Sequence, residues 1–137
     1  MAPKTTAAVG LVLAAALAFP ATAATPKSGF WSGSTRQGKS ISFKVTPGGG
    51  KVKNVRFGFR GSCSNGATTT GTMSFGGRHT VSGGRFTAKG GTSVVKGTFT
   101  TRTKARGTLD WRSRSFDPVS LRQVECTSGK VRWTARR

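Results

Sequence analysis

Ser40-Ile41-Ser42-Phe43-Lys44-Val45 sets an apolar side chain at every second residue, Ile41, Phe43 and Val45, with polar ones between them. Side chains of an extended chain point alternately to opposite faces, so this spacing predicts a strand with one buried and one wet face. Val55, Phe57 and Phe59 alternate in the same way with Asn54, Arg56, Gly58 and Arg60. So do Leu109 and Trp111 with Thr108, Asp110 and Arg112, and Val131, Trp133 and Ala135 with Arg132, Thr134 and Arg136. From Phe30 onward no window carries the three-to-four-residue spacing of an amphipathic helix.

Turn formers fall between these segments at Arg36-Gln37-Gly38, Pro47-Gly48-Gly49-Gly50, Ser64-Asn65-Gly66, Gly83-Gly84, Gly90-Gly91, Asp117-Pro118 and Ser128-Gly129. Strands and turns at this spacing predict an all-β, single antiparallel domain of about eight short strands. Such a sheet buries its apolar face either as a β-sandwich or as a closed β-barrel, and both readings stand. Gly58 and Gly107 fall inside strands, where a missing side chain marks a bulge, a bend or a close crossing.

The first residues of the 137 read as an export signal. Lys4 gives a positive start, Ala7 to Phe19 an apolar run, and Ala21-Thr22-Ala23 small residues for cleavage. The run stops at Pro20, short of the about 20 residues a membrane helix needs. The division expected is a signal peptide over 1–23 and one β-domain over 24–137, its ordered core at 29–136, with no transmembrane segment in the mature chain. No Cys lies at the cleavage region and the chain ends in Arg136-Arg137, so a released, secreted product is expected.

An exported chain meets an oxidising compartment, and Cys63 and Cys126 are the only two cysteines. A disulfide between them restricts the unfolded chain, contributing roughly 4 kcal/mol on loop entropy alone. They lack the C-x-x-C spacing of a redox pair and the companion ligands of a metal site.

With these landmarks in place, the chain resembles a family of small exported actinobacterial β-domains of unknown function. The likeness runs through Gly29-Phe30-Trp31-Ser32-Gly33-Ser34-Thr35, Ile41-Ser42-Phe43-Lys44-Val45, Cys63, Gly84-Arg85-Phe86, Gly97-Thr98-Phe99 and Ala105-Arg106-Gly107-Thr108-Leu109. It closes on Cys126-Thr127-Ser128-Gly129-Lys130-Val131-Arg132-Trp133-Thr134-Ala135, its most distinctive part. The resemblance implies a signal peptide, a β-rich domain and a Cys63–Cys126 pair, and assigns no catalytic residue.

One His, three acids and no Tyr are a thin supply for general acid and base work. His79 would need Asp110, Asp117 or Glu125 beside a Ser, and no G-x-S-x-G elbow occurs. Asp110 reads as outward among cations, Asp117 as a turn residue before Pro118, and Glu125 as a neighbour of Arg122. No enzyme, no metal and no cofactor is the expectation. Arg56-Phe57-Gly58-Phe59 is a partial match to an RNA-stacking signature, but no helices back the sheet, so Phe57 and Phe59 read as core. Trp31, Trp111 and Trp133 read as core too; Trp31, near the mature N-terminus, is the best of them for stacking on a sugar.

The charge decides what remains. Lys and Arg number 23 against three acids, a net charge of +20 and a pI near 12.0. Lys44, Arg56, Arg60, Arg106, Arg112, Arg132 and Arg136 all take the polar side of their strands and form one stripe if those strands adjoin. Arg forks fit phosphate or carboxylate, so the leading expectation is a non-enzymatic domain binding anionic polymers: envelope polymer, anionic lipid headgroups, or nucleic acid without sequence specificity. An acidic protein is a further partner of the same chemistry. The alternative is a secreted protein-binding module or inhibitor on a disulfide-stabilised scaffold. A solvated surface kept soluble by charge is the plain explanation against both.

Overall fold

The computed structural model describes residues 23–137, so the segment read as a signal peptide lies, except for Ala23, outside the described residues. Eight strands follow: β1 Gly29–Thr35, β2 Ser40–Val45, β3 Lys51–Cys63, β4 Thr68–Thr80, β5 Arg85–Gly90, β6 Ser93–Phe99, β7 Lys104–Asp117 and β8 Arg122–Arg136. A single 3-10 turn, Pro47–Gly49, interrupts them among the described residues. The expectation of short strands is corrected for half of them: β3, β4, β7 and β8 run 13 to 15 residues.

All strands belong to one antiparallel sheet in the order β4-β3-β2-β1-β8-β7-β6-β5. Each strand within this order lies beside a neighbour in sequence, and β1 also pairs with β8. The two edge strands, β4 and β5, are consecutive in the chain and meet through side chains: the Phe75 ring lies against Gly90, where a Cβ would collide with it. The sheet therefore curls on itself, with its one unladdered seam between β4 and β5.

The apolar faces predicted from alternation are the buried ones. Ile41, Phe43, Val45, Val55, Phe57, Phe59, Leu109, Val131, Trp133 and Ala135 all enter the core. Two aromatic groups fill it: Trp31, Phe43, Phe86, Phe99 and Trp133 pack with ring centroids 5.1 to 6.3 Å apart, while Phe57 touches Phe59 and Phe75. Trp111 is the exception, only half-buried but stacked 3.9 Å from Phe59. Trp31 is fully buried, and its indole N–H donates to the Lys27 carbonyl at 2.9 Å, so it offers no face to a sugar.

The ends of the sheet are closed by different means. At one end residues 25–28 fold across: Pro26 is buried, Lys27 N–H donates to the Arg102 carbonyl, and Arg137 Nε donates to the Ser28 carbonyl at 2.6 Å. At the other end β1 and β2 have stopped, and β3 reaches β8 directly through Ser62↔Thr127 and Cys63↔Cys126. Cys63 and Cys126 are joined there in a disulfide, Cα to Cα 4.0 Å. Beyond that junction β7 and β8 continue as a two-stranded hairpin.

Ser128-Gly129, read as a turn, lies inside β8. Trp111 faces Gly129 and Arg112 faces Thr127, which leaves Ser128 as the extra residue of a bulge. The bulge supplies its own hydrogen bonds: Ser128 Oγ accepts from Trp111 N–H at 2.9 Å, and the buried Ser93 Oγ accepts from Arg112 N–H at 2.9 Å. In sequence, a hydroxyl followed by a Gly at positive φ has the same look in a bulge as in a turn.

Candidate functional site

The outward cations do not form one stripe. Lys44, Arg56 and Arg60 lie on β2 and β3, whereas Arg106, Arg112, Arg132 and Arg136 lie on β7 and β8. Between them runs β1, whose outward residues include Ser32 and Ser34. One cross-strand row bridges the two groups: Lys104 faces Arg136, then Ser32, Ser42 and Arg56 follow in register. At Arg60 the backbone N–H donates to Gln37 Oε1 at 2.8 Å.

Two concavities, each of about 600 Å³, open on the outer side of the β6–β7–β8 region and share Thr108. The first holds both ion pairs found among the described residues. Arg112 contacts Asp110 at 3.1 Å and Arg114 contacts Glu125 at 2.9 Å. Glu125 thus pairs across the hairpin with Arg114, not with its near neighbour Arg122. The Asp110 hydrogen bonds, and then its charge, push the Arg112 guanidinium further up from an already high value. Arg112 thus meets solvent already paired with Asp110, its side chain still 60% exposed.

The second concavity contains no acid. Arg36, Arg106 and Arg132 line it, with Ser34, Thr98, Thr108 and Thr134 supplying hydroxyls. Local geometry explains the convergence. Arg132 faces Thr108 and Arg106 faces Thr134, so the two arginines sit diagonally across β7 and β8, about 7–8 Å apart at the backbone. Arg36 joins them because its N–H donates to the Arg132 carbonyl at 2.9 Å, which continues the β1–β8 ladder into the turn. None of the three enters either ion pair among the described residues. Three forked cations and a hydroxyl rim in one hollow can hold a phosphate or carboxylate group.

Arg36 is not among the cations that strand alternation singles out, because Arg36-Gln37-Gly38 reads in sequence only as a turn. The turn is real: Thr35 Oγ1, buried, accepts from the N–H groups of Gln37 and Lys39, both at 3.2 Å. Only the β1–β8 pairing brings Arg36 beside Arg132, and that pairing is not written in either segment alone.

His79 lies in β4, opposite Val52, with Nε2 buried and unpartnered, while all three acids lie on β7 and β8. Asp117 is tied up in its turn: its carboxylate accepts from Val119 N–H and from the Ser120 hydroxyl, each at 2.9 Å, which holds its carboxyl below the usual range. Among the described residues no three His, Cys, Asp or Glu side chains gather as metal ligands would. No described helix is long and apolar enough to cross a membrane. Comparison with protein families, curated proteins and solved structures gave no match.

Proposed function

We propose that this chain is a secreted, non-catalytic β-domain that binds anionic polymers through the acid-free hollow of Arg36, Arg106 and Arg132. The observation that carries the reading is the convergence of three arginines outside any ion pair of the described residues, with a hydroxyl rim, in one concavity. Beside it lies a second hollow where each acid has a cation. The disulfide supports an oxidising destination. The row Lys104, Arg136, Ser32, Ser42, Arg56 continues the positive surface over β1, so a ligand with repeated charges gains more than a single ion does. The binding needs no cofactor and transfers no group.

Replacing Arg36, Arg106 and Arg132 together by Gln is expected to weaken binding to duplex DNA or a comparable polyanion. On DNA the slope of log K against log salt becomes shallower by roughly three, about 0.9 for each phosphate that is no longer neutralised. Replacing Lys51, Lys89 and Lys53 instead removes the same charge elsewhere and leaves most of the affinity. Equal losses from the two triple variants would mean that the charge acts as a general surface property, and the hollow would not be a site.

A further inference from the structure

The turn of the β7–β8 hairpin exposes an unusual group of side chains. Phe116 is 63% exposed, Val119 92% and Leu121 74%, three of the four large apolar residues that the described chain leaves exposed. They sit at the far end of a two-stranded arm that extends past the disulfide, with Phe116 facing Gln123 and Asp117 facing Arg122 in the last rungs. Val124, on the same arm, is turned inward and buried, so the exposure belongs to the tip alone. Leu121 is held at φ 57, a left-handed conformation uncommon for a bulky residue, where Gly or Asn is the usual occupant. An apolar side chain kept there at a conformational cost points to a use for it.

The surroundings of the tip narrow that use. Arg114 lies two residues before Phe116, and Arg122 directly follows Leu121, so a cation flanks the apolar group on each strand. Two carboxylates lie on this arm and both are occupied, Asp117 by Val119 N–H and the Ser120 hydroxyl and Glu125 by Arg114 at 2.9 Å, which leaves Arg122 as the arm's cation outside either ion pair of the described residues. The three acids of the chain all lie on this hairpin, and the rest of the described chain is basic without any acid. A small apolar tip with Arg122 beside it, carried on a strongly positive body, is complementary to a surface that is apolar within and anionic at its headgroups.

We propose that the tip formed by Phe116, Val119 and Leu121 inserts into the interface of an anionic bilayer, with Arg122 among its headgroups. The ladder pairs the backbone of the arm up to Asp117 and Arg122, and in the turn beyond it Val119 N–H donates to the Asp117 carboxylate, which lowers the cost of bringing the tip into the interface. This is a site distinct from the hollow of Arg36, Arg106 and Arg132, and does not depend on it.

The test uses the oxidised chain with vesicles of phosphatidylcholine and phosphatidylglycerol, compared with phosphatidylcholine alone, at physiological salt. Partitioning is expected to favour the anionic vesicles and to fall at least about tenfold when Val119→Ser and Leu121→Asn are combined, since two apolar anchors are removed. Asn fits the left-handed position, and both sites are exposed, so the fold is retained. Binding of the same variant to inorganic polyphosphate should stay as in the parent, which separates the tip from the hollow. In a second variant, Val119→Trp, indole emission should shift to the blue on the anionic vesicles and be quenched by brominated acyl chains. Unchanged partitioning of the double variant, or an indole that stays in water, overturns the proposal and leaves the tip to a protein surface.

Discussion

A methyl group at Gly107 would collide with the Lys96 carbonyl oxygen and lie 2.6 Å from Trp133 Cζ2. Gly97 faces Gly107 across β6 and β7, and Trp133 faces Gly107 across β7 and β8, so the Trp133 indole fills the room at Gly107 and shares that at Gly97 with the Phe86 ring. Gly107→Ala is therefore expected to cost about 1–3 kcal/mol or more, while Gly76→Ala, with nothing within 4 Å of the new methyl, should change stability by less than about 1 kcal/mol. Urea unfolding of the two variants checks the contrast. The sequence reading of Gly107 as a bend or close crossing holds; which side chain crosses there is a tertiary fact. Gly58 is looser, with only Lys39 Cβ at 3.1 Å and Gly71 beyond it. Asp117 gives a pH signature at the same scale. Its carboxyl is depressed by the Val119 N–H first and the Ser120 hydroxyl second, so the turn is fully supported above the ordinary Asp value near about 3.9 and loses that support as pH falls through the lower, folded value. The amide shift of Val119 should titrate below the ordinary range; a midpoint at or above it would mean that the turn does not hold the carboxylate.

The alternating segments were readable because half-burial imposes a period of two, and this holds at Ile41, Phe43 and Val45 and again at Val131, Trp133 and Ala135. Strand length was not readable. The polar residues Thr68, Thr70, Thr72 and Ser74 continue β4 without an alternating apolar partner for each, because that strand lies at an edge of the hydrogen-bonded order. Ser128-Gly129 misled for a related reason, since bulges and turns draw on the same residues. The β3–β8 junction was legible only as two cysteines, although it fixes where the sheet narrows and the arm begins. Removing the bond by Cys63→Ser with Cys126→Ser should lower unfolding stability by about 4 kcal/mol. The amides of residues 122–127 should lose hydrogen-exchange protection before those of 129–135. Uniform loss across β8 would show that the junction and the body open as one unit.

Across the whole molecule the charge is divided, not merely large. Acids and their partner arginines share the β7–β8 hairpin, while the remaining surface is basic throughout the described chain. The sequence showed the excess and the outward phase of Arg106, Arg132, Arg56 and Arg136, but not their neighbours. Pairing of β1 with β8 adds Arg36 to the hollow, while Arg112 lies in the other hollow, paired with Asp110. Long-range attraction from such a body speeds encounter with any polyanion, so affinity alone says little about a site. Residue-resolved titration says more. In an NMR titration of the oxidised, isotope-labelled chain with inorganic polyphosphate at physiological salt, the largest and earliest shifts are expected at the amides and guanidinium groups of Arg36, Arg106 and Arg132 and at the adjoining Thr134 amide. Small shifts spread evenly over every cation of the surface, with none larger in the hollow, would contradict the assignment.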